Sequence, residues 1–371
     1  MSNILDYIIW RGDLSFNQSE INELDNIIFA RFSYLPFKNI KIEKTETIES
    51  IAKKMKELNI EEFLWEDDKD FIYYLGKSNR FKNLEISDYI EVIDNSAEKQ
   101  FAAVCISISN KLKYISFRGT DSSLVGWKED LNMSFMEHVP SQREAVNYLN
   151  NIGKKGRYKF ILGGHSKGGN LAVYSAIFCE DKVRNKIEKV INADGPGFDR
   201  KIIETENYKK ILDKIETYIP QSSIVGRLLE HEEEYQVIES IQKGIMQHDI
   251  YSWQIEPLRL VRIPSVTNNS EIFNGIVRDW LKNTTPEQRG NFINIIYEII
   301  ITTDAKSLKD FSTNTMKKIG KILNSYRNID ESARKEMEEM IKLILKSSVK
   351  VLKENMPKAT GNYGAKTRQK V

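Results

Sequence analysis

The spacing of apolar residues divides the chain into stretches of different character. Near the N-terminus, apolar residues such as Leu24, Ile27 and Ile28 are three or four positions apart, which is the period of a helix. The middle of the chain alternates short apolar runs with helical patterns, and helical spacing returns after it. We predict a helical N-terminal region, an α/β core, a helical C-terminal region and a disordered basic tail, at residues 1–83, 84–265, 266–355 and 356–371.

The apolar runs of the middle stretch predict strands. FAAVCISIS and LKYISF are rich in β-branched and aromatic residues, and Asn110-Lys111 between them indicates a hairpin turn. The runs KFILGG, KVINADG, IETYIP and EYQVIES then alternate with helical patterns, one of which predicts a helix near 201–212. Strands that alternate with helices predict a mostly parallel sheet with helices on both faces, which is an α/β architecture.

Composition and charge exclude several classes of protein. Lys and Arg number 55 against 53 Asp and Glu, so the charge of the whole chain gives no reason to expect nucleic-acid binding. Cys105 and Cys179 lie in apolar runs, which excludes a disulfide framework and a cysteine zinc site. No basic segment precedes an apolar stretch at the N-terminus, and the run FINIIYEIIITT is shorter than a membrane span. We therefore expect a cytoplasmic protein.

The segment FILGGHSKGGNLAVY carries the strongest chemical signal. Gly164-His165-Ser166-Lys167-Gly168 fits the pattern G-x-S-x-G and lies between an apolar strand and a helical run. A serine on such a sharp turn has strained backbone angles, so the residues two positions away must lack a Cβ atom. The turn raises the hydroxyl above the sheet, and the helix N-terminus favours developing negative charge. We predict that Ser166 is a nucleophile, and that Gly164 and Gly168 permit the turn.

A serine nucleophile needs a base, and the chain has four histidines. In hydrolases with this turn the histidine follows the last strand, and His248 comes shortly after the run EYQVIES. His231 lies in the acidic run EHEEEY, where we expect a solvated face. His138 precedes the serine in a loop, and His165 adjoins the serine with a side chain expected to diverge from it. We predict His248 as the base and keep His231 as the less favoured alternative.

The acid that orients the histidine is assigned less directly. Asp194 ends the run KVINADG, where a carboxylate would stabilise the protonated imidazole. Many hydrolases place the acid after the next strand, but that strand is followed by Gln221-Ser222-Ser223 and no carboxylate. We predict Asp194 as the acid. The alternatives that stay open are Glu230, Glu232 and Asp249.

An oxyanion hole takes backbone N–H groups from two places, the residue after the nucleophile and a loop after an early strand. Lys167 provides the first group. Thr120, which follows the strand run LKYISF, is predicted to provide the second through its N–H and its hydroxyl. Gly119 allows the backbone to approach, and we interpret Arg118 as a structural cation below the site.

These residues resemble a known group of enzymes. FRGTDSSLVGWKEDL followed by GGHSKGGNLA is similar to the class-3 lipase branch of the α/β-hydrolases, over roughly residues 100–250. Together with WRGD near the start, PQSSIVGRLLEHEEEY and QHDIYSW, the chain resembles an uncharacterised bacterial family of lipase-like α/β-hydrolases. The resemblance implies an α/β-hydrolase core, and it implies site roles for Thr120, Lys167, Ser166 and His248. Class-3 lipases place their acid one strand later than Asp194. The segment INADGPGF instead resembles the acid-bearing segment of pancreatic-type lipases. The resemblance therefore does not assign the acid, and a serine–histidine dyad stays open.

The C-terminal part is basic and amphipathic. Residues 342–371 contain eight basic residues and one acidic residue. An apolar stripe at helical spacing comprises Met337, Ile341, Ile344, Leu345 and Leu352. Such a helix packs on the core with its lysines in water, lies on an anionic membrane surface, or binds a partner. The sequence favours packing on the core, and the membrane surface is kept as an alternative.

The residues therefore predict a serine hydrolase that cleaves a carboxylic ester, and the resemblance points to a lipid ester. This chemistry requires neither a metal nor an organic cofactor. A thioesterase or acyltransferase with the same triad stays open, as does a scaffold or binding protein that keeps the fold without turnover. We expect a cytoplasmic location, with peripheral membrane association as the alternative, and no nucleic-acid partner.

Overall fold

The computed structural model describes residues 2–121, 123–303 and 315–355. Its strands are β1 (Thr45–Thr47), β2 (Glu85–Asp94), β3 (Lys99–Ser107), β4 (Leu112–Phe117), β5 (Lys159–His165), β6 (Ile187–Ala193), β7 (Ile215–Pro220), β8 (Tyr235–Ile238), β9 (Ile255–Glu256) and β10 (Arg259–Leu260). Its helices are α1 (Ile4–Arg11), α2 (Glu23–Phe32), α3 (Ile48–Met55), α4 (Asp67–Lys77), α5 (Leu124–Asn132), α6 (Pro140–Gly153), α7 (Lys167–Phe178), α8 (Asp181–Arg184), α9 (Arg200–Ile203), α10 (Glu206–Lys209), α11 (Asn268–Lys282), α12 (Pro286–Ile301), α13 (Thr315–Asn328) and α14 (Glu331–Asn355).

One mixed sheet organises the described residues. Strands β1 to β8 lie side by side in the order of the sequence. Neighbouring strands are antiparallel from β1 to β4 and parallel from β4 to β8. The predicted hairpin joins β3 to β4, and its turn is held by Ser109 Oγ, which accepts the N–H groups of Lys111 and Leu112. The predicted α/β architecture with a mostly parallel sheet is confirmed.

Both faces of the sheet are covered by helices, as the sequence predicts. The alternation along β5 shows the division, because Phe160 and Leu162 belong to one core and Ile161 to the other. Helices α6 and α7 cover the first face, and α2 lies across β4, β5 and β6 on the second. The parallel strands therefore end between two buried layers, with their carboxyl ends at one edge.

The N-terminal helices share a core with the sheet. Strand β1 pairs with β2, which adds a piece of the N-terminal region to the sheet. Arg80 binds Asp25 through two hydrogen bonds of 2.8 and 2.5 Å, and both side chains are fully buried. Tyr7 donates a further hydrogen bond of 3.0 Å to the same carboxylate. The boundary drawn at residue 83 stays a prediction.

The single helix expected near 201–212 is wrong. The structure has two one-turn helices there, α9 and α10, followed by a 3₁₀ turn at Leu212–Lys214. Thr205 separates the two helices because its hydroxyl accepts the Tyr208 N–H and donates to the Ile202 carbonyl. A threonine that binds backbone groups in this way ends one helix and begins the next.

The C-terminal helices attach to the core at two places. At one end, the Thr267 N–H that precedes α11 donates to the Gln221 carbonyl over 2.7 Å. At the other, Arg289 of α12 donates to the Ser134 carbonyl over 2.7 Å. Helix α14 packs along α11 and α12. In the part of the chain that the structure describes, none of the helices has the length and apolar character to cross a membrane. The predicted tail at 356–371 lies outside the described residues.

Candidate active site

Ser166 lies on a strained turn between β5 and α7. Its backbone angles, φ 58° and ψ −134°, fall in a region that residues other than glycine seldom adopt. Two backbone hydrogen bonds of 2.9 Å hold the turn, from the Ser166 N–H to Ala193 and from the Gly169 N–H to Ser166. The side chain is half-buried. The surrounding structure therefore maintains a conformation that costs on the order of 1–3 kcal/mol and presents one hydroxyl at the sheet edge.

The glycines around the serine are required by close backbone packing. A Cβ atom on Gly164 would lie 2.3 Å from the Gly168 carbonyl carbon, and one on Gly168 would lie 2.1 Å from the Phe117 oxygen. A Cβ atom on Gly119 would lie 3.1 Å from Ser166 Cβ. Strand β4, strand β5 and helix α7 can approach the serine this closely only without those side-chain atoms.

His248 and Asp194 form an acid–base pair next to this turn. His248 ends the 3₁₀ segment Gly244–His248 that follows β8, and Asp194 follows β6 with a left-handed φ of 50°. His248 Nδ1 lies 2.6 Å from Asp194 Oδ2. Because the carboxylate only accepts, Nδ1 donates, which leaves Nε2 as the basic nitrogen of the neutral ring. This is the protonation pattern that a general base for a serine hydroxyl requires.

The other oxygen of Asp194 is held by the loop after β7. Ser223 Oγ donates to Asp194 Oδ1 over 2.5 Å, and the Gly226 N–H donates to the same atom over 3.1 Å. Asp194 is fully buried, so these donors replace the water that would otherwise solvate its charge. In many hydrolases the loop after this strand carries the acid. Here that loop carries two hydrogen-bond donors instead, and they bind Asp194, which follows the preceding strand β6.

No hydrogen bond joins the side chains of Ser166 and His248 in this structure. Among the described residues, no side chain hydrogen bonds to Ser166 Oγ. The turn at Gly195, next to Asp194, does pack on the serine, because a Cβ atom there would lie 2.4 Å from the Ser166 carbonyl oxygen. Catalytic hydrogen bonds of this kind are often long until substrate binds. The roles of Ser166 and His248 stay predictions.

Thr120 and Lys167 lie on the two sides that an oxyanion hole requires. Lys167 is the first residue of α7, where backbone N–H groups have no acceptor within the helix. Gly119 packs on the turn, which places the Thr120 segment beside Ser166. The Thr120 hydroxyl, however, donates to Asp130 Oδ1 over 2.7 Å. Of the two Thr120 donors that the sequence predicts, the hydroxyl is thus already engaged.

Asp130 is a carboxylate that the sequence interpretation missed. It is half-buried on α5, with Lys167 Nζ 3.9 Å from its Oδ1. Burial raises the pKa of Asp130 to about 6, although Lys167 and the Thr120 hydroxyl act in the opposite direction. The signal that was available is the adjacent pair Glu129-Asp130, nine and ten residues after Thr120 in the segment of the lipase resemblance.

The side chain of Lys167 is part of a buried ion pair. Its Nζ donates to Glu129 Oε2 over 2.9 Å, and to the carbonyl and side-chain oxygens of Gln100 over 2.9 and 2.8 Å. Lys167 is 1 % exposed and Glu129 is fully buried. These contacts fix the first turn of α7 to β3 and α5. Arg118, predicted as a structural cation, likewise pairs with Glu91 over 2.9 Å.

His165 contacts the backbone of His248. His165 Nε2 lies 2.7 Å from the His248 carbonyl oxygen, and the two rings are 4.4 Å apart. Because a carbonyl only accepts, His165 Nε2 carries the proton, and Nδ1 faces the Tyr34 hydroxyl at 3.3 Å. Burial, together with the charges of His248 and Arg31, lowers the pKa of His165 well below its usual value. His165 is therefore neutral and links the N-terminal helices to the histidine loop.

A buried ion pair lies behind this link. Arg31 on α2 binds Asp68 on α4 through hydrogen bonds of 2.8 and 2.6 Å, and both residues are buried. Tyr251, three residues after His248, donates to the same carboxylate over 2.7 Å. The Arg31 guanidinium stacks over the rings of Tyr34 and Tyr251, at 4.6 and 5.3 Å. The N-terminal region thus supports the loop that carries His248, which no sequence pattern indicated.

The side chains of His231 and His138 hydrogen bond to groups other than Ser166. His231 is not on a solvated face as expected: its side chain is 7 % exposed and its Nδ1 lies 2.9 Å from Glu233 Oε1. Burial raises the pKa of Glu233, but His231 and two hydroxyl donors outweigh it and bring the pKa to about 2. His138 Nδ1 lies 2.7 Å from the Tyr174 hydroxyl. Each of these rings has its own structural contact.

The alternative acids make other contacts. Asp249 Oδ1 accepts the Tyr251 N–H over 3.0 Å, which caps the following 3₁₀ turn. The backbone of Glu230 pairs with Phe198, and the side chain of Glu232 is exposed. Among the described residues, Asp194 is the carboxylate that hydrogen bonds to the His248 ring.

A crevice too narrow to admit a water molecule borders the acid–base pair. Its lining includes Asp194, Ser223, His248 and Ile245. Ile245 and the neighbouring Met246 are 61 % and 51 % exposed. Gly244, with a left-handed φ of 54°, turns the chain immediately before them. The loop that carries His248 therefore exposes apolar side chains beside this crevice.

This fold and this constellation define an α/β protein with a serine, a histidine and an aspartate at the carboxyl edge of its parallel strands. The chain belongs to the Mbeg1-like family, whose model matches residues 75–298, more than half of the chain. The narrower likeness to class-3 lipases stays a prediction.

One solved structure with partial similarity is described as the crystal structure of M37 lipase. The match has a TM-score of 0.36 and 20 % sequence identity, and it covers 56 % of this chain and 70 % of the lipase chain. No curated protein matches the chain. The functional argument therefore rests on the residues of this chain.

Proposed function

We propose that this protein is a serine hydrolase with an α/β-hydrolase core, and that it cleaves carboxylic esters of lipids. The observation that carries the proposal is the 2.6 Å contact between His248 Nδ1 and the buried carboxylate of Asp194, next to the strained Ser166 turn. A structural histidine needs neither a buried carboxylate nor a neighbouring serine in a strained conformation. The combination is the arrangement that activates a hydroxyl for attack.

In the first half of the proposed reaction, Ser166 Oγ attacks the acyl carbon of the ester. His248 Nε2 takes the hydroxyl proton, and the resulting imidazolium is stabilised by Asp194 across Nδ1. The backbone N–H groups of Thr120 and Lys167 stabilise the negative charge on the carbonyl oxygen. His248 then protonates the leaving alcohol, and an acyl group remains on the serine.

In the second half, water replaces the alcohol and follows the same route. His248 accepts a proton from the water, whose oxygen attacks the acyl carbon, and then returns a proton to Ser166 Oγ as the fatty acid leaves. The two halves together consume one water and one ester and release one alcohol and one acid. Ser166, His248 and Asp194 return to their starting protonation states.

The apolar loop before His248 supports a lipid ester as the substrate. Ile245 borders the crevice beside the acid–base pair with 61 % of its surface exposed, and Met246 next to it is half exposed. Apolar side chains that remain in water next to a candidate site favour an apolar ligand. We place such an enzyme in the cytoplasm, where it would meet its substrate at a membrane surface.

Labelling with a fluorophosphonate tests the proposal directly, because this probe reacts with activated serines. We expect the full-length protein to be labelled, and we expect Ser166→Ala and His248→Ala to abolish labelling. Ser332→Ala, at an exposed helix position, is the matched serine control, and His138→Ala is the matched histidine control. Both controls are expected to be labelled like the wild type.

Substrate class is tested on the same variants with oxygen esters and thioesters of equal acyl chains. The proposal requires oxygen esters to be hydrolysed with the higher kcat/KM, and it requires that rate to depend on Ser166. A wild type that is folded, as judged by circular dichroism, but reacts with neither the probe nor any ester would overturn the proposal and favour a scaffold.

A further inference from the structure

The outer face of α14 combines apolar and basic side chains. Ile341, Leu345 and Val349 are 42 %, 60 % and 53 % exposed, and they recur every four residues. Lys342, Lys346 and Lys353 are exposed beside them. These six residues are called the basic apolar face. Side chains of this size at this exposure would normally be buried in a soluble helix.

The inner face of the same helix is already in use. Met337, Met340, Ser347 and Val351 are buried, and a Cβ atom on Gly275 of α11 would lie 2.9 Å from Val351 Cγ1. The stripe that the sequence predicts is therefore divided, with Met337 buried and Ile341 and Leu345 turned to solvent. The packing of the helix is satisfied without the basic apolar face.

The charge of this face is positive over most of its length, with Glu354 at its C-terminal end. No aspartate or glutamate occurs between Met340 and Lys353. Lys350 pairs with Asp279 of α11, but among the described residues no carboxylate forms an ion pair with Lys342, Lys346 or Lys353. Three unpaired ammonium groups around an exposed apolar stripe complement a surface that is anionic outside and apolar beneath.

The helix is tied to the same end of the molecule as the candidate active site. Thr267 caps the start of α11, and its N–H donates to the Gln221 carbonyl at the start of the loop that holds Asp194. Helix α14 runs antiparallel to α11, because Ser347 Oγ binds Asp279 while Val351 packs on Gly275. The C-terminal end of the basic apolar face is therefore the end nearest to the acid loop.

We propose that the basic apolar face docks the protein on the surface of an anionic lipid bilayer. The apolar side chains enter the interface, and the lysines bind lipid phosphate or carboxylate groups. The proposal rests on the proposed function for its purpose, since docking would bring esters of that bilayer to Ser166. The docking itself depends on α14 and not on the serine.

Sedimentation with vesicles tests the docking. The protein used is the full chain carrying Ser166→Ala, so that hydrolysis cannot change the lipid. We expect binding to vesicles of phosphatidylcholine mixed with phosphatidylglycerol, and little binding to phosphatidylcholine alone. Replacing Lys342, Lys346 and Lys353 by glutamine should weaken binding about 100-fold, which is the combined effect of three basic residues near such a surface. High salt should weaken it similarly.

Two further variants distinguish an effect of the basic apolar face from an effect of the net charge of the protein. Lys182, Lys201 and Lys210 are exposed outside α14, and their replacement by glutamine removes the same charge. That control should bind like the parent chain, whereas Leu345→Ser should weaken binding although no charge changes. Circular dichroism and the urea midpoint verify that each variant is folded.

The proposal is overturned if the control weakens binding as much as the α14 variant, or if both vesicle types bind equally. It is also overturned if the face instead mediates self-association, seen as a dimer in sedimentation velocity that Leu345→Ser dissociates. The proposed function fails in a different way. If the wild type binds vesicles but is not labelled by fluorophosphonate, the docking proposal stands and the hydrolase proposal is overturned.

Discussion

Replacing Asp194 with asparagine removes the carboxylate that faces His248 and keeps the neighbouring contacts. The amide oxygen can still accept from Ser223 Oγ and the Gly226 N–H, which lie 2.5 and 3.1 Å from Asp194 Oδ1. The amide NH₂ then faces His248 Nδ1 and donates to it, so Nδ1 must be the unprotonated nitrogen. The remaining ring proton moves to Nε2, which can no longer accept a proton from Ser166.

The expected loss follows from this change of tautomer. Asp194 is fully buried and its Oδ2 lies 2.6 Å from His248 Nδ1, so no water can replace the lost carboxylate. The variant also lacks the negative charge that stabilises the imidazolium in the transition state. In serine hydrolases with this geometry the two effects reduce kcat about 10⁴-fold, or about 5 kcal/mol in activation free energy.

The assay measures initial rates on a short-chain chromogenic ester and the rate of fluorophosphonate labelling. Asp249→Asn is the matched control, because its side chain caps the Tyr251 N–H and an amide oxygen can replace it there. We expect this control to keep wild-type activity. A folded Asp194→Asn protein that loses less than about tenfold in kcat would refute the assignment. A larger loss in Asp249→Asn would identify that residue as the acid.

Three other outcomes follow from single residues. Burial raises the pKa of Asp130 from 3.8 to about 6, so the unfolding free energy of the wild type falls as pH rises through that range. In urea unfolding, the unfolding free energy of Asp130→Asn relative to wild type should therefore increase by about 1–2 kcal/mol between pH 4 and pH 7.5. A difference that does not change with pH would contradict this. Asp68→Ala leaves Arg31 buried and unpaired, and should lower the unfolding free energy by about 3–5 kcal/mol, which Arg31→Met in the same chain should partly restore. Ile245→Asp should reduce kcat/KM for long-chain esters far more than for short-chain esters; equal losses would exclude an acyl contact.

The local features of the fold could be read from the sequence. The runs around β3 to β8 alternate with helical patterns, and the turn at Ser166 is defined by glycines two positions away on either side. Such signals depend on residues within a few positions of one another, so they survive without knowledge of the rest of the chain. The error near 201–212 is also local, because apolar spacing alone does not show that the Thr205 hydroxyl binds backbone groups and interrupts the helix.

The composition of the site depended on contacts between distant parts of the chain. Asp194 and His248 are 54 residues apart, and the Ser223 hydroxyl that binds the Asp194 carboxylate comes from a loop that has no carboxylate of its own after β7. The burial that raises the pKa of Asp130 also results from packing, since an isolated Glu-Asp pair on a helix is an ordinary exposed sequence. The sequence leaves several carboxylates open as the acid, and only the packing brings Asp194 to the His248 ring.

The sequence by itself determined the alternation of strands and helices in the core, the serine turn and the candidate histidine. Only the tertiary structure decided that α2 covers a face of the sheet, that Arg31 and Asp68 support the histidine loop, and that α14 turns Leu345 outward. The reason is that the spacing of apolar residues indicates which face of a helix or strand is apolar, but it does not indicate which other element packs against that face. That choice is made by the competition among all apolar faces for a limited buried area, which involves the whole chain at once.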